Sequence, residues 1–194
     1  MNNSAVFNQA IQLKPVGAVH NQSRETDWGK DFSDLSWQKK TVKMKEMRDR
    51  VSKIEIDPGL EGILDGIEDF SHLLVLYWAH LVPAERRSQT KVHPLGNPDF
   101  PLVGIFATQS PVRPNSILAT FVRLIQRNKN TLLVTGLDAL DGSPVLDIKP
   151  FNPEEKHENV KLPVWMRQVH REFQKDAGQD CDKGNRAKGN DQQA

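Results

Sequence analysis

The sequence predicts a mainly β protein in which a single β-barrel domain carries a few peripheral helices. Short segments rich in β-branched and aromatic residues follow one another closely, with Gly, Pro, Asn and Asp between them. The regular alternation of strands and helices that builds a parallel sheet is absent, and so are the glycine-rich loops that bind nucleotides in common α/β folds. We therefore expect a non-Rossmann fold.

The strand pattern, a short run of apolar or alternating residues bounded by turn residues, recurs along the chain. It occurs at residues 11–19, 52–57, 71–80, 102–107, 117–126, 131–137 and 145–148. The segment 71–80 (SHLLVLYWAH) is the clearest of these, because the apolar run from Leu73 to Ala79 is rich in β-formers and short for a helix. We expect this strand to lie in the core.

Turns and loops separate these strands. Pro58-Gly59 ends one strand, Asn128-Lys129-Asn130 predicts a hairpin, and Asp141-Gly142 marks a further turn. Residues 20–36 are polar and residues 82–101 are interrupted by prolines, so both predict long loops.

Two segments predict helices and one predicts a short helical turn. Residues 37–51 contain good helix formers, with Met44 and Met47 at helical spacing. Residues 162–173 form an amphipathic pattern. Residues 60–70 repeat apolar residues around two glycines, which favours a short turn over a long helix.

The length of 194 residues is near that of one ordinary domain. We expect the barrel domain at residues 11–151, a C-terminal extension with one helix at residues 152–175, and a disordered tail at residues 176–194, which are rich in Gly, Asp and Asn. The 26 Lys and Arg residues nearly balance the 25 Asp and Glu residues, so nucleic-acid binding would require a local segregation of charge.

Several classes of protein and site are not expected from the composition. The one cysteine, Cys181, cannot form an internal disulfide or a thiolate zinc site, and no metal site is predicted. The longest apolar run falls well short of the roughly 20 residues that span a bilayer. The first residues lack the basic and then apolar pattern of an export signal, so we expect a cytoplasmic protein.

Three segments carry residue patterns that the packing of a barrel does not require. They are residues 70–80, residues 104–115 (GIFATQSPVRPN) and residues 136–150 (GLDALDGSPVLDIKP). Together they resemble the TsaA-like family, also called TrmO, and the resemblance extends from about Leu13 to Phe151. The combination of a Phe-Ala-Thr segment, an Arg-Pro-Asn turn and a long run with spaced aspartates is an uncommon one.

The resemblance implies an S-adenosylmethionine-dependent methyltransferase that acts on N6 of threonylcarbamoyladenosine beside the tRNA anticodon. It also implies a homodimer that holds the methyl donor near the subunit boundary. Carried over by motif, the cofactor contacts fall on His80, Leu81, Gln109, Ala119, Thr135, Gly136, Leu137 and Asp138. His80 and Asp138 are also the candidate catalytic residues, because a positioned imidazole or carboxylate can remove the N–H proton.

This sequence departs from the family pattern near the expected cofactor contacts. Gln109 stands where the family usually has arginine, and Ser116 and Leu118 stand where it has proline and glycine. Replacing arginine by a neutral amide removes a charge-assisted hydrogen bond worth roughly 1.5–3 kcal/mol when buried. A non-catalytic S-adenosylmethionine-binding sensor or interaction module is therefore an alternative, and methylation of another substrate is also open.

Basic residues outnumber acidic ones between residues 83 and 130, which with the resemblance suggests an RNA backbone track. The basic residues are Arg86, Arg87, Lys91, Arg113, Arg123, Arg127 and Lys129, against Glu85 and Asp99. The candidate RNA-binding residues are Arg86, Arg87, Arg113, Asn115 and Lys149. Two alternatives are structural: Arg113 could instead bond turn carbonyls, and Lys149 could pair with Asp147 two residues before it.

His72 and His80 are eight residues apart in a predicted extended segment, so we expect both on one side of it. That side could form a site, and the alternative is that each histidine caps a core strand by bonding a neighbouring carbonyl. Asp141 is expected to be structural, because Asp-Gly is ordinary turn chemistry.

The apolar strand from Leu73 to Ala79 needs cover on both faces. A second copy of the chain, packed as a twofold dimer, would supply that cover. The alternative is that the helices at residues 37–51 and 162–173 cover the strand within one chain, with Trp165 and Phe173 as large side chains at the contact.

Overall fold

The computed structural model describes residues 10–24, 37–152 and 160–176. Its strands are β1 (Gly17–His20), β2 (Val51–Ile56), β3 (His72–Trp78), β4 (Lys91–Val92), β5 (Val103–Gly104), β6 (Ile117–Asn128), β7 (Thr131–Thr135) and β8 (Pro144–Pro150). Its α-helices are α1 (Trp37–Asp49) and α2 (Val164–Asp176). Short 3-10 helices lie at Ile67–Asp69, Ala84–Ser88, Pro94–Gly96 and Ile105–Ala107.

The long strands close into a barrel in the order β1-β2-β7-β6-β3-β8. Every neighbouring pair in the barrel is antiparallel. β4 and β5 form a separate two-stranded sheet. The predicted mainly β, non-Rossmann barrel is therefore confirmed.

The barrel interior is filled by alternate residues of each strand. In β3, Leu73, Val75 and Tyr77 are buried, whereas on the outer face His72 is exposed and Leu74, Leu76 and Trp78 are half-buried. Residues from the other strands complete the core: Val19, Ile54, Ile56, Val122, Leu132, Val134 and Val145. Burial of each such side chain contributes about 1.5–3 kcal/mol. The predicted core strand thus has one face in the core and one outside it.

The β6–β7 hairpin lies where the sequence predicts it. Asn128 pairs with Thr131, and Lys129 turns the chain with a left-handed φ of 52°. The hairpin is bonded to β2 as well, because the Ile56 N–H donates to the Asn130 carbonyl at 2.8 Å.

Four predicted strands are shorter in the structure: β3 and β7 by three and two residues, and the other two by more. Of residues 11–19, β1 contains those from Gly17 onward, since the ring of Pro15 removes a donor that a ladder needs. Of residues 102–107, Val103 and Gly104 pair with β4, and the next three residues form a 3-10 turn. The Thr108 hydroxyl donates to the Ile105 carbonyl at 2.8 Å and so stabilises that turn.

The helices and the long loop are close to their predictions. α1 and α2 pack against each other, and Pro163 precedes α2, a position where a missing N–H is tolerated. The loop at residues 82–101 contains 3-10 turns and β4. Most of the loop predicted at residues 20–36, and the predicted disordered tail beyond Asp176, lie outside the described residues. Within the described part, no helix has the length and apolar character to cross a membrane.

Candidate functional site

Asp138 lies just after β7, where two hydroxyl groups fix its carboxylate. The Tyr77 hydroxyl donates to Asp138 Oδ1 at 2.7 Å, and the Thr120 hydroxyl donates to the same oxygen. The two hydroxyl oxygens are 3.3 Å apart. No hydrogen bond to the second oxygen, Oδ2, is formed within the described residues, and the side chain is exposed. Asp138 therefore presents an oriented carboxylate oxygen to solvent.

Tyr77 connects this carboxylate to the barrel core. Its side chain is 2% exposed. Burial raises the pKa of the Tyr77 phenol, and the negative charge of Asp138 raises it further. The phenol therefore remains a hydrogen-bond donor throughout the physiological pH range.

The chain between β7 and Asp138 runs beside β6. Thr135 pairs with Arg123 of β6, and Gly136 follows with a φ of 91° that favours glycine. The Gly136 N–H donates to the Arg48 carbonyl at 2.7 Å, which fixes the end of α1 to this segment. Leu137 is 1% exposed and belongs to the core. Within one chain, neither the side chain nor the backbone of Leu137 is therefore open to solvent.

The two histidines lie in different environments. β3 ends at Trp78, so the prediction that His72 and His80 share one extended segment is wrong. His72 is exposed on the outer face, with Nδ1 2.9 Å from the Ser71 hydroxyl. His80 lies in the following turn, with Nδ1 3.4 Å from the hydroxyl of Ser143. His80 therefore contacts the turn that precedes β8.

That turn closes one end of the barrel. Asp141 Oδ1 accepts the Asn21 N–H at 2.9 Å, and the Asn21 side chain donates to the Ala139 carbonyl at 2.9 Å. The Gly142 N–H donates to the Val19 carbonyl at 2.8 Å. These bonds agree with the structural role expected for Asp141.

Leu81, Gln109 and Ala119 are the other predicted cofactor residues, and all three are exposed. Ala119 lies on the outer face of β6, opposite Leu76 of β3 and next to Thr120. Gln109 lies on a separate loop, and no hydrogen bond joins its side chain to another predicted contact in the described part of the chain. The structure thus brings Ala119 near the segment 135–138 and leaves Gln109 apart.

Arg113 supports the loop that contains it. Its Nη2 donates to the Thr108 carbonyl at 3.0 Å, and its guanidinium lies 5.8 Å from the centre of the Phe106 ring. Its Nε is buried without a partner among the described residues. These contacts match the structural alternative. The neighbouring Asn115 is exposed.

Arg87 and Lys149 also have partners within the chain. The Arg87 guanidinium lies 5.1 Å from the centre of the Trp78 ring and donates to the Val82 carbonyl at 2.9 Å. Lys149 pairs with Asp147 at 2.8 Å, and this hydrogen bond and the charge of Asp147 raise the pKa of Lys149.

Arg86 differs from these two residues. It is exposed, and no hydrogen bond or ion pair of its side chain occurs in the described part of the chain.

The local excess of positive charge is smaller than the sequence count suggests. Arg127 pairs with Asp65 at 2.7 Å and with Glu68 at 3.0 Å. Both carboxylates come from outside the segment 83–130, so a count along the sequence does not include them. Arg127 is therefore neutralised rather than available for a polyanion.

An open cleft of about 390 Å³ lies beside the segment that leads to Asp138. Its lining residues are Arg48, Asp49, His72, Phe121, Arg123, Thr135 and Gly136. The family motif in the sequence predicts Thr135 and Gly136 as cofactor contacts, whereas no sequence pattern identifies Arg48, Asp49 or Phe121. The barrel register brings these residues together, and no local sequence pattern signals that register.

Comparisons with known proteins agree on one family. The model of the tRNA-methyltransferase O N-terminal domain matches residues 37–156. A probable S-adenosyl-L-methionine-binding protein of Pyrococcus abyssi is 33% identical, over 83% of this chain and 79% of that protein. A protein of the same description from Methanothermobacter thermautotrophicus is 38% identical, over 73% of this chain and 90% of its own.

A solved structure shares the fold. The crystal structure of TrmO from Pseudomonas aeruginosa matches with a TM-score of 0.57 and 23% identity, and the match covers 80% of this chain. The chain corresponds to 63% of the length of that protein. This likeness supports the barrel architecture.

Proposed function

The chain belongs to the tRNA-methyltransferase O family, and on that basis we propose that it transfers the methyl group of S-adenosylmethionine to N6 of threonylcarbamoyladenosine beside the tRNA anticodon. Relatives named as S-adenosylmethionine-binding proteins support the cofactor. The proposed partner is tRNA, and the proposed place of action is the cytoplasm.

The observation that carries this proposal is the carboxylate of Asp138. It belongs to the motif shared with the family, two hydroxyls hold one of its oxygens, and the other oxygen faces solvent. A fixed acceptor at the exposed end of a strand suits either a hydroxyl or amine of the methyl donor or the N–H of the substrate. Asp141 and Asp147, the other aspartates of the motif, are engaged elsewhere.

The residues around Asp138 fit a methyl donor of this class. Ala119 and Leu81 are exposed apolar side chains, which suit an adenine ring, and Thr120, whose hydroxyl bonds Asp138, is next to Ala119 along β6. Asp138 supplies a polar contact. When bound, the donor supplies a methyl group activated by a positively charged sulfur.

The chemical contribution required of the protein is small. The residues at this site must align the nucleophilic nitrogen with the methyl carbon and the sulfur. As the new nitrogen–carbon bond forms and the carbon–sulfur bond breaks, the proton leaves the nitrogen. We assign its removal to Asp138 Oδ2 or to the His80 imidazole, since both lie near the end of β3 and have capacity to accept it.

Among the predicted RNA contacts, Arg86 and Asn115 are the best candidates for tRNA. Both are exposed, and Arg86 has a guanidinium with no partner among the described residues. Arg87 and Arg113 donate to backbone carbonyls, so loss of either would alter the local structure as well as the charge. Lys149 is paired with the exposed Asp147 carboxylate.

We propose that the chain forms a twofold dimer through the outer face of β3 toward its Trp78 end, away from the cleft that His72 lines. Leu76 and Trp78 lie half-buried on that part of the face, and α1 and α2 pack against each other. A second copy would cover these apolar side chains. Light scattering should give about twice the 22.0 kDa mass of one chain. A mass of one chain, unchanged by S-adenosylmethionine, would refute the dimer.

The alternative is a binding module that holds S-adenosylmethionine without transferring its methyl group. The observation that favours it is Gln109, a neutral and exposed amide at a position where the family usually has arginine. Calorimetry with S-adenosylmethionine, together with a transfer assay on tRNA, separates the two functions. Tight binding without any methylated product supports the module, and a labelled methyl group on N6 of the modified adenosine supports the enzyme.

A further inference from the structure

A single row of cross-strand partners runs across the outer wall of the barrel. His72 of β3 pairs with Arg123 of β6, and Arg123 pairs with Thr135 of β7. Thr135 pairs in turn with Val51 of β2. Side chains directly opposite each other on one face have Cβ atoms about 4.5–5.5 Å apart. The barrel register therefore places His72, Arg123 and Thr135 side by side.

The end of α1 forms the rim beside this row. The hydrogen bond from the Gly136 N–H to the Arg48 carbonyl, at 2.7 Å, fixes the helix end against the barrel wall. Arg48 and Asp49 then line the cleft together with the row. The cleft is thus built from residues far apart in sequence.

The two arginines of the cleft are free to bind a ligand. Arg48 and Arg123 are both exposed, and neither side chain has a hydrogen bond or ion pair within the part of the chain that the structure describes. Their surroundings contain one carboxylate, that of Asp49. Because the cleft has two guanidinium groups and one carboxylate, it favours the binding of an anionic ligand.

An aromatic side chain completes the cleft. Phe121 is 54% exposed, and its ring meets that of Phe151 at 88° with the centres 5.4 Å apart. The ring is therefore held in place while much of its surface faces the cleft and solvent. Exposed aromatic rings beside basic residues are the usual platform for an unpaired base of RNA.

We propose that this cleft binds one nucleotide of the RNA substrate, with a base stacked on Phe121 and a phosphate between Arg48 and Arg123. The proposal rests on the proposed function and extends it to the substrate contacts. Gly136 in the cleft is two residues from Asp138, so their Cα atoms lie within about 7 Å of each other. A nucleotide bound here would therefore adjoin the nucleotide presented to Asp138.

The chemistry of the cleft suits RNA better than the methyl donor. S-adenosylmethionine carries a sulfonium, an ammonium group and a single carboxylate, so its net charge is positive, and it contains no phosphate. Two arginines that line one cleft would repel that net positive charge, whereas they would bind a phosphate with charge-assisted hydrogen bonds. Asp49 can accept a hydrogen bond from a ribose hydroxyl or a base amine.

The test uses the full-length protein with Arg48→Ala, Arg123→Ala and the double variant. The matched control is Lys14→Ala, which also removes one positive charge from an exposed position. Lys14 precedes β1, whose Gly17 pairs with Ile56 at the opposite end of β2 from Val51. The control thus lies away from the cleft.

We expect the double variant to bind tRNA at least tenfold more weakly than the parent. The fall of log affinity with log salt should become less steep, with the magnitude of the slope reduced by about two. Its affinity for S-adenosylmethionine should stay within about twofold of the parent. Phe121→Leu, which keeps an apolar side chain but removes the ring, should weaken tRNA binding about fivefold or more without changing the salt slope.

The possible outcomes separate this proposal from the proposed function. If arginine-dependent tRNA binding occurs but no tRNA is methylated, the cleft is supported and the enzymatic function fails. If the double variant binds tRNA as the parent does, the cleft proposal is overturned even when methyl transfer is active. A loss of S-adenosylmethionine binding in the double variant would also overturn it, because the cleft would then hold the cofactor.

Discussion

The Tyr77 hydroxyl and the Asp138 carboxylate are joined by a hydrogen bond of 2.7 Å that links the barrel core to an exposed strand end. Tyr77 is fixed by core packing, so the position of Asp138 depends on the same packing that stabilises the fold. The candidate site is therefore supported by a residue that cannot move independently of the barrel.

Tyr77 is the only tyrosine of the chain, so tyrosinate absorbance reports on it alone. Burial, and then the charge of Asp138, raise its pKa in the folded state, whereas in the unfolded chain the pKa is about 10. The phenol thus contributes stability that is complete below about pH 10 and falls at higher pH, where the unfolded chain loses a proton that the folded chain keeps. In an alkaline titration, tyrosinate should appear together with unfolding. Ionisation near pH 10 while circular dichroism remains native would contradict this.

Asp138→Asn should reduce methyl transfer about 100-fold or more while leaving thermal unfolding nearly unchanged. The amide keeps an oxygen that accepts the hydrogen bonds of Tyr77 and Thr120, but it loses the charge and the ability to take a proton. The matched control is Asp141→Asn, where Asp141 accepts a backbone N–H in a turn of the same motif. Transfer rates with saturating cofactor are the measurement. An equal loss of transfer rate in both variants would show that Asp138 contributes no more to methyl transfer than Asp141.

Gln109→Arg should raise the transfer rate about tenfold. It restores a charged hydrogen-bond donor at an exposed position where the family pattern has arginine, and a tenfold change is about 1.4 kcal/mol, at the lower end of what hydrogen bonds to charged groups contribute. Gln126→Arg adds the same charge at an exposed position of β6 and should change little. The ratio of kcat/KM values for the two variants checks the prediction. An unchanged or lower rate in Gln109→Arg would mean that this position does not contact the reactants.

Gly17→Ala should destabilise the barrel by about 1–3 kcal/mol. Gly17 lies between β2 and β8, and a Cβ there would collide with the Glu55 carbonyl oxygen and lie 3.0 Å from the Ile56 Cα. Both contacts are with backbone, so the strands would have to separate. Gly104→Ala is the control, because its φ is −59° and no atom lies within 4 Å of an added Cβ. Urea unfolding of the two variants should differ accordingly, and equal stability would show that β1 is not tightly closed.

The parts of the fold that depend on local sequence could be predicted. The β-forming run in β3, the turn at Lys129 and the amphipathic pattern of α2 each reflect interactions within about ten residues. The family motif also predicts Asp138 as a site residue. Arg113 bonds a loop carbonyl and Lys149 pairs with Asp147, and both contacts are the structural alternatives that follow from the sequence.

The parts that depend on barrel register could not be predicted. The pairing of Arg127 with Asp65 and Glu68 joins segments about sixty residues apart, so a charge count along the chain misses it. The row of His72, Arg123 and Thr135 arises from pairing among three strands, and a shift of one residue in any strand would break it. The apolar run predicts that the strand continues to His80, whereas the end of β3 at Trp78 is set by tertiary hydrogen bonds, including that from the Ala79 N–H to the Ser116 carbonyl.

The most direct test of the central proposal is a transfer assay with two preparations of one tRNA, one carrying threonylcarbamoyladenosine and the other plain adenosine at the same position. The purified protein and labelled S-adenosylmethionine are incubated with each, and nucleosides from the digested tRNA are separated. We predict that label enters the threonylcarbamoyladenosine preparation alone and is located at N6. Equal labelling of both preparations, or labelling of neither, would contradict the proposed function.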